Sequence, residues 1–288
     1  MPMNLLKDIR KIYAGLDADA IRATAYQPVK VGLMASSESG YRLLEDYLAP
    51  TGIDPEIGIQ ALRSLARVDA TPFDRFDFVI CEPGMPVPAN GYTADFERPQ
   101  RLIERIAGDH KLQETALSRV FLPFRKPVAH GLISRISREN AMFSIVTALP
   151  NIIPNLVELP WAVSEFATDT AFLTMNQIRM ALTLAAASDR PVGYTEQKVE
   201  LAAIVGGAFG WRALSRQLVG KIPLGGGLIP KAAIAFAGTY VVGMGLEKLH
   251  RTGSGLSSAE KKSAYAEAFE RGKTVAREIA PSLMGKKS

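Results

Sequence analysis

The sequence predicts an α+β fold, predominantly α, in which a small N-terminal α/β domain of βαβ type precedes a Gly/Ala-rich multi-helix domain. Three observations predict it. The runs VKVGLMA (29–35) and FDFVICE (76–82) are short, apolar and β-branched, as buried strands are, and they flank one helical stripe. From about residue 97 apolar side chains recur at spacings of three and four. The longest apolar stretches, LAAIVGGAFGW (201–211) and AAIAFAGTYVVGMGL (232–246), consist largely of small residues.

Leu5, Leu6, Ile9, Ile12, Tyr13 and Leu16 predict an amphipathic helix within residues 1–27, which Gln27-Pro28 ends. The α/β domain spans 28–122. Its first strand runs into a turn at Ser36 to Gly40, then into a helix carrying Tyr41, Leu43, Leu44, Tyr47 and Leu48 that stops at Pro50 and Gly52. The second strand ends at PGMPVP. With only two strands evident, the sheet is expected to be small. Leu102, Ile103, Ile106 and Leu112 begin the helices, and Pro123 and Pro127 mark the border of a helical domain over 123–288. Pro150, Pro154 and Pro160 cut the next stretch into short helices or corners. Further helices are expected at 162–188, 195–219, 230–249 and 257–280, the last opened by a capping box of Ser257 with Glu260.

The chain has 288 residues, 47% hydrophobic and 22% charged, which excludes disordered, coiled-coil and collagen-like classes. One cysteine, Cys81, excludes an internal disulfide framework and any Cys-rich metal site. The net charge of +5 is unevenly spread. Residues 1–120 hold 14 basic against 17 acidic residues, net −3, and residues 121–288 hold 20 against 12, net +8. A basic part that is also the apolar part points to an anionic membrane surface rather than to nucleic acid. Lys7, Asp8, Arg10 and Lys11 interrupt the apolar core that a signal peptide needs.

A spanning helix needs about 20 apolar residues. The best segment, 232–246, has fifteen uncharged residues between Lys231 and Glu247 and reaches about 22 Å at about 1.5 Å per residue. Between the two apolar runs lie Arg212, Arg216, Lys221 and Lys231 with no acid, a basic connector suited to a membrane surface or to a partner. Three readings stay open: a buried helix pair in a soluble bundle, docking on anionic lipid, and a hairpin that enters the bilayer.

Catalytic motifs are weak. The strand-turn-helix at 31–48 sits where a phosphate-binding loop would be, but no Lys follows Gly40 and Glu38 would place a carboxylate in the cradle. Ser36, Ser37 and Ser39 read as a turn and helix N-cap. In FVICEPG the position of a magnesium-linked Asp is Cys81 when Gly84 is aligned with the D-x-x-G glycine, and no guanine motif follows. His110, His130 and His250 have no metal or triad spacing. Glu165, Asp169, Asn176 and Arg179, at steps of four, seven and three, form a polar stripe on an otherwise apolar helix: an exposed face in a soluble bundle, a helix–helix contact if buried. Triple glycine in IPLGGGLIP (222–230) reads as a tight connection between close-packed helices.

The N-Q-I-R-M helix (176–180), the K-I-P-x-G-G segment (221–226) and the A-G-T-Y helix (237–240) resemble the YcjF-like family of bacterial proteins over about residues 125–253. The resemblance implies a membrane-associated helical domain that occurs fused to Era- or Der-type small GTPases, with no catalytic residues to carry over. The expectation is a non-enzymatic protein on the cytoplasmic face of the inner membrane or in the cytoplasm, acting by binding a partner such as a GTPase. It carries no cofactor, no metal and no nucleic acid. The alternatives are a degenerate, pseudo-GTPase-like regulatory protein and a fully soluble helical interaction protein.

Overall fold

The computed structural model describes residues 16–52, 54–68, 72–148, 169–204 and 227–284. It is mostly helical, with a small parallel sheet near the N-terminus, so the predicted class holds. The chain divides into two compact units: Asp19–Ala129 with Ala185–Pro191, and Met1–Ala18 with His130–Leu184 and Val192–Ser288.

In the α/β unit α1 (Ala18–Tyr26) leads to β1 (Val31–Met34), α2 (Glu38–Leu48), α3 (Pro55–Arg63), β2 (Leu65–Arg67), β3 (Phe78–Cys81), β4 (Gly91–Thr93), α4 (Pro99–Asp109) and α5 (Glu114–Val120). The four strands are all parallel in the order β2-β1-β3-β4, with Val31 opposite both Leu65 and Phe78, and Val79 opposite Gly91. Successive residues of β1 and β3 point to opposite faces. Val31, Leu33, Phe78 and Ile80 join Leu44, Leu48, Ile106 and Leu117 in the larger core. Met34, Val79 and Cys81 pack with Val68 and Phe76 on the other face. Both faces are therefore covered, which is why β1 and β3 read as continuous apolar runs. The sheet has two more strands than the sequence predicts: β2 and β4 are three residues each, too short for a period to register.

The helical unit is built from α6 (Leu122–Val146, which begins in the α/β unit), α7 (Asp169–Ala187), helical residues 198–204, α8 (Leu228–Thr252) and α9 (Ser258–Met284). Pro123 and Pro127 do not break α6. They fall in its first two turns, where the leading N–H groups have no intrahelical partner, so only the bond from residue 127 to the Pro123 carbonyl is forfeited. The expected corners at Pro150, Pro154 and Pro160, residues 1–15 of the helix expected within 1–27, and Gly225 and Gly226 of the triple glycine lie outside the described residues, whereas Gly227 is the N-cap of α8.

α8 and α9 form an antiparallel hairpin. Gly253, at φ 77°, ends α8 in the left-handed region that glycine adopts without strain, and its N–H bonds the Leu249 carbonyl at 2.9 Å. The predicted capping box opens α9: Ser257 N donates to Glu260 Oε2 at 2.8 Å, and Glu260 N donates to Ser257 Oγ at 3.3 Å. A Cβ on Gly272 would stand 3.0 Å from the Ala233 Cα and carbonyl oxygen, so these two backbones are in direct contact. Around them Ala141, Ile145, Phe236, Ala237, Val275 and Ile279 form the core joining α6, α8 and α9.

Candidate functional site

In the α/β unit β2 and β3 lie on opposite sides of β1, so the loops after β1 and β3 flank the crevice where open α/β sheets take their ligands. The loop after β1 leads straight into α2, whose N-terminal N–H groups favour an anion. Ser37 is its N-cap, accepting from Gly40 N at 3.1 Å, so the serine cluster is the turn and cap that the sequence predicts. Glu38 corrects one expectation. It turns out of the cradle and forms a fork with Arg67 at 2.7 and 2.8 Å, and that guanidinium also lies 4.5 Å from the centre of the Tyr41 ring.

The carboxylate in the cradle is Glu82, the first residue after β3. Ser36 N and Ser36 Oγ both donate to its Oε2 at 2.8 Å, and these bonds hold its carboxyl below the ordinary range. Gly40 makes the room, because a Cβ there would lie within 2.8 Å of the carboxylate. The protein thus supplies its own anion where a phosphate would sit. A phosphate entering this turn would meet a like charge.

Other groups with chemical potential are held by packing. Cys81 is fully buried, and burial pushes its thiol up, away from the reactive thiolate. Tyr92 Oη donates to Asp109 Oδ2 at 3.0 Å, and its ring meets Phe78 edge-on at 5.9 Å; burial first, then Asp109, pushes its hydroxyl up to about 12. His110 lies 5.1 Å from the Phe78 ring, and His250 Nε2 lies 3.3 Å from Glu200 Oε1. Among the described residues no three His, Cys, Asp or Glu side chains converge as a metal would require.

In the helical unit the predicted polar stripe turns inward at Asn176. Asn176 is 1% exposed, and its Nδ2 donates to Asn140 Oδ1 at 2.7 Å. Asn140 Nδ2 donates to Thr239 Oγ1 at 2.8 Å, and Gln177 Nε2 reaches the same hydroxyl at 3.3 Å. Arg179 pairs with Glu139. Asn176 and its neighbour Gln177 thus belong to a buried polar junction of α6, α7 and α8, and Arg179 is half-buried. Asp169 is the first residue of α7, and Glu165 lies outside the described residues. Asn140 and Thr239 were missed by sequence reasoning. Ser137, Asn140 and Ser144, spaced three and four apart on α6, were the available signal, but the same spacing describes a solvated face.

Of the basic set, Arg212, Arg216 and Lys221 lie outside the described residues, and Lys231 Nζ donates to Thr147 Oγ1 at 3.4 Å. Among the described residues one helix, α8, is long and apolar enough to cross a membrane, with a mean hydropathy of 1.4 over its best window and half of that window buried. The fold and the crevice define a class: a predominantly helical α+β protein with a parallel sheet whose ligand crevice holds its own carboxylate. Comparison of the chain with protein-family models, with curated proteins and with solved structures gives no match.

Proposed function

We propose that this chain is a non-enzymatic, YcjF-like bacterial protein that associates with the anionic face of the inner membrane through its basic, apolar helical part and acts by binding a protein partner. The observation that carries the reading is α8, an apolar 25-residue helix within a part of the chain whose net charge is +8. Apolar area and Lys/Arg together are what interfacial association with anionic lipid requires. Glu82 in the crevice supports the non-enzymatic half of the reading, because it opposes the phosphates that nucleotide hydrolysis would place there.

A second reading, a soluble helical interaction protein, has its own support: every residue of α8 from Leu228 to His250 is buried or half-buried. One experiment separates the two. The full chain is sedimented with phosphatidylglycerol vesicles and with phosphatidylcholine vesicles at low and high salt. The membrane reading expects binding to the anionic vesicles that weakens as salt shortens the screening length from about 10 Å toward about 3 Å. Absence of binding at low salt rejects it in favour of the soluble reading.

A further inference from the structure

At the opposite, N-terminal edge of the sheet the α/β unit has a cavity of about 500 Å³, bounded by the end of α1, the approach to β1, α3 and the end of α5. This is within the roughly 300–1,000 Å³ of small-molecule sites. We propose that it binds a small amphipathic organic anion, a carboxylate or phosphate monoester carried on a flat apolar body. The inference is independent of the membrane reading.

The lining has an apolar floor and a cationic rim. Val29 and Val120 are 5% and 2% exposed, whereas Tyr26 and Ile59 are 58% and 52% exposed and leave apolar surface open to an occupant. Three cations, Lys30, Arg63 and Arg119, face one carboxylate, Glu56, although residues 1–120 as a whole are net acidic. Arg119 is already committed: its Nε donates to the Ala25 carbonyl at 2.8 Å, it pairs with Asp189 at 3.3 Å, and it lies 4.4 Å from the centre of the Tyr26 ring. It is a fixed wall and not a free donor.

Lys30 and Arg63 are different. Among the described residues no carboxylate pairs with either side chain. Asp77 accepts instead from the Lys30 backbone N–H at 2.7 Å and from Gln113 Nε2 at 2.6 Å. Arg63 lies in the last turn of α3, where a cation is favoured, and Lys30 lies on no helix; neither position supplies a carboxylate partner. Two charged donors are left on the rim of an apolar hollow, the arrangement that orients an anionic head group while its body covers Tyr26 and Ile59.

Anilinonaphthalene sulfonate, an anion on a flat apolar body, is the probe, and phenylnaphthylamine, the same body without the charge, is the control. Calorimetric and fluorescence titrations use the full chain, the Lys30→Gln/Arg63→Gln variant and the Arg101→Gln variant, which removes an exposed cation elsewhere in the unit. The proposal expects saturable binding of the sulfonate, weakened about tenfold or more in the double variant and unchanged in Arg101→Gln. If the double variant fails to fold, Lys30→Gln alone should still weaken binding, by about threefold. Equal affinity in the folded variants, equal binding of the uncharged amine, or no saturable binding overturns it.

Discussion

Asn140→Ala is the sharpest probe of the helical unit. Asn140 is fully buried and joins three helices, donating to Thr239 on α8 and accepting from Asn176 on α7. Truncation removes both bonds and a longer one, 3.4 Å, from Nδ2 to the Leu173 carbonyl. Thr239 Oγ1 keeps its contact from Gln177, but the Asn176 amide loses its acceptor in a place water does not reach, and Asn176 Oδ1 has no partner to begin with. Each lost hydrogen bond is worth about 0.5–1.5 kcal/mol net, and an orphaned buried amide costs about 1–3 kcal/mol. For the two shorter bonds and the orphan the total is roughly 2–6 kcal/mol. The gain in helix propensity from Asn to Ala, about 0.5 kcal/mol, is too small to reverse the sign. Urea denaturation followed by circular dichroism should record that loss, and Tm should fall by roughly 5–15 °C. Replacing all four partners (Asn140→Leu, Asn176→Leu, Gln177→Leu, Thr239→Val) should cost less than the single truncation, because no orphaned amide remains among them. A loss below about 0.5 kcal/mol for Asn140→Ala, the range of ordinary surface changes, refutes the buried junction.

Gly272→Leu should destabilise the α8–α9 hairpin by about 3 kcal/mol, since its side chain meets the Ala233 backbone, whereas Gly255→Ala, in open space, should stay within about 0.5 kcal/mol in the same urea titration. Glu260 is held down to about 2 by Lys248 first and the Ser257 cap second. A lowered carboxyl stabilises the fold above its ordinary value of 4.5 and loses that contribution as pH falls toward about 2. Glu260→Gln should therefore melt below the parent at neutral pH and match it near the acid limit; a difference that persists there removes the assignment. Carboxyl NMR should find Glu82 titrating below the ordinary range and returning toward it in Gly40→Ala, which expels the carboxylate; an unchanged titration in that variant would show that Glu82 is not in the cradle.

The elements that sequence revealed are those whose burial is one-sided or total over a length exceeding their period. β1 and β3 are buried on both faces and read as unbroken apolar runs, and α4 buries Leu102, Ile103 and Ile106 on one face and shows a stripe. β2 and β4 were invisible because a three-residue strand shows no alternation. The stripe on α7 was visible, but not its direction. A row of polar residues marks a solvated face when its neighbours are absent and a buried junction when α6 and α8 supply Asn140 and Thr239, and only the tertiary fold decides between them. The absence of a phosphate-binding Lys was legible. The carboxylate in its place was not, because Glu82 comes from a different strand, 42 residues beyond Gly40 in the chain.

The same ambiguity governs α8, on which the proposed function turns. Small residues allow close helix packing in lipid and in water alike, so Gly and Ala content alone does not choose the solvent. In the structure that content is used inside the protein: a Cβ at Gly243 would press on Ile133 and Met180, and Ala233 meets Gly272. Glu247, 7% exposed, pairs with Arg251 one turn on at 2.7 Å, a charged pair at the end of the helix that a span would have to keep out of hydrocarbon. Attraction to a membrane through this helix would then depend on charge at the surface more than on depth of insertion. This is why salt dependence, and not extraction by detergent, is the measurement that separates the two readings.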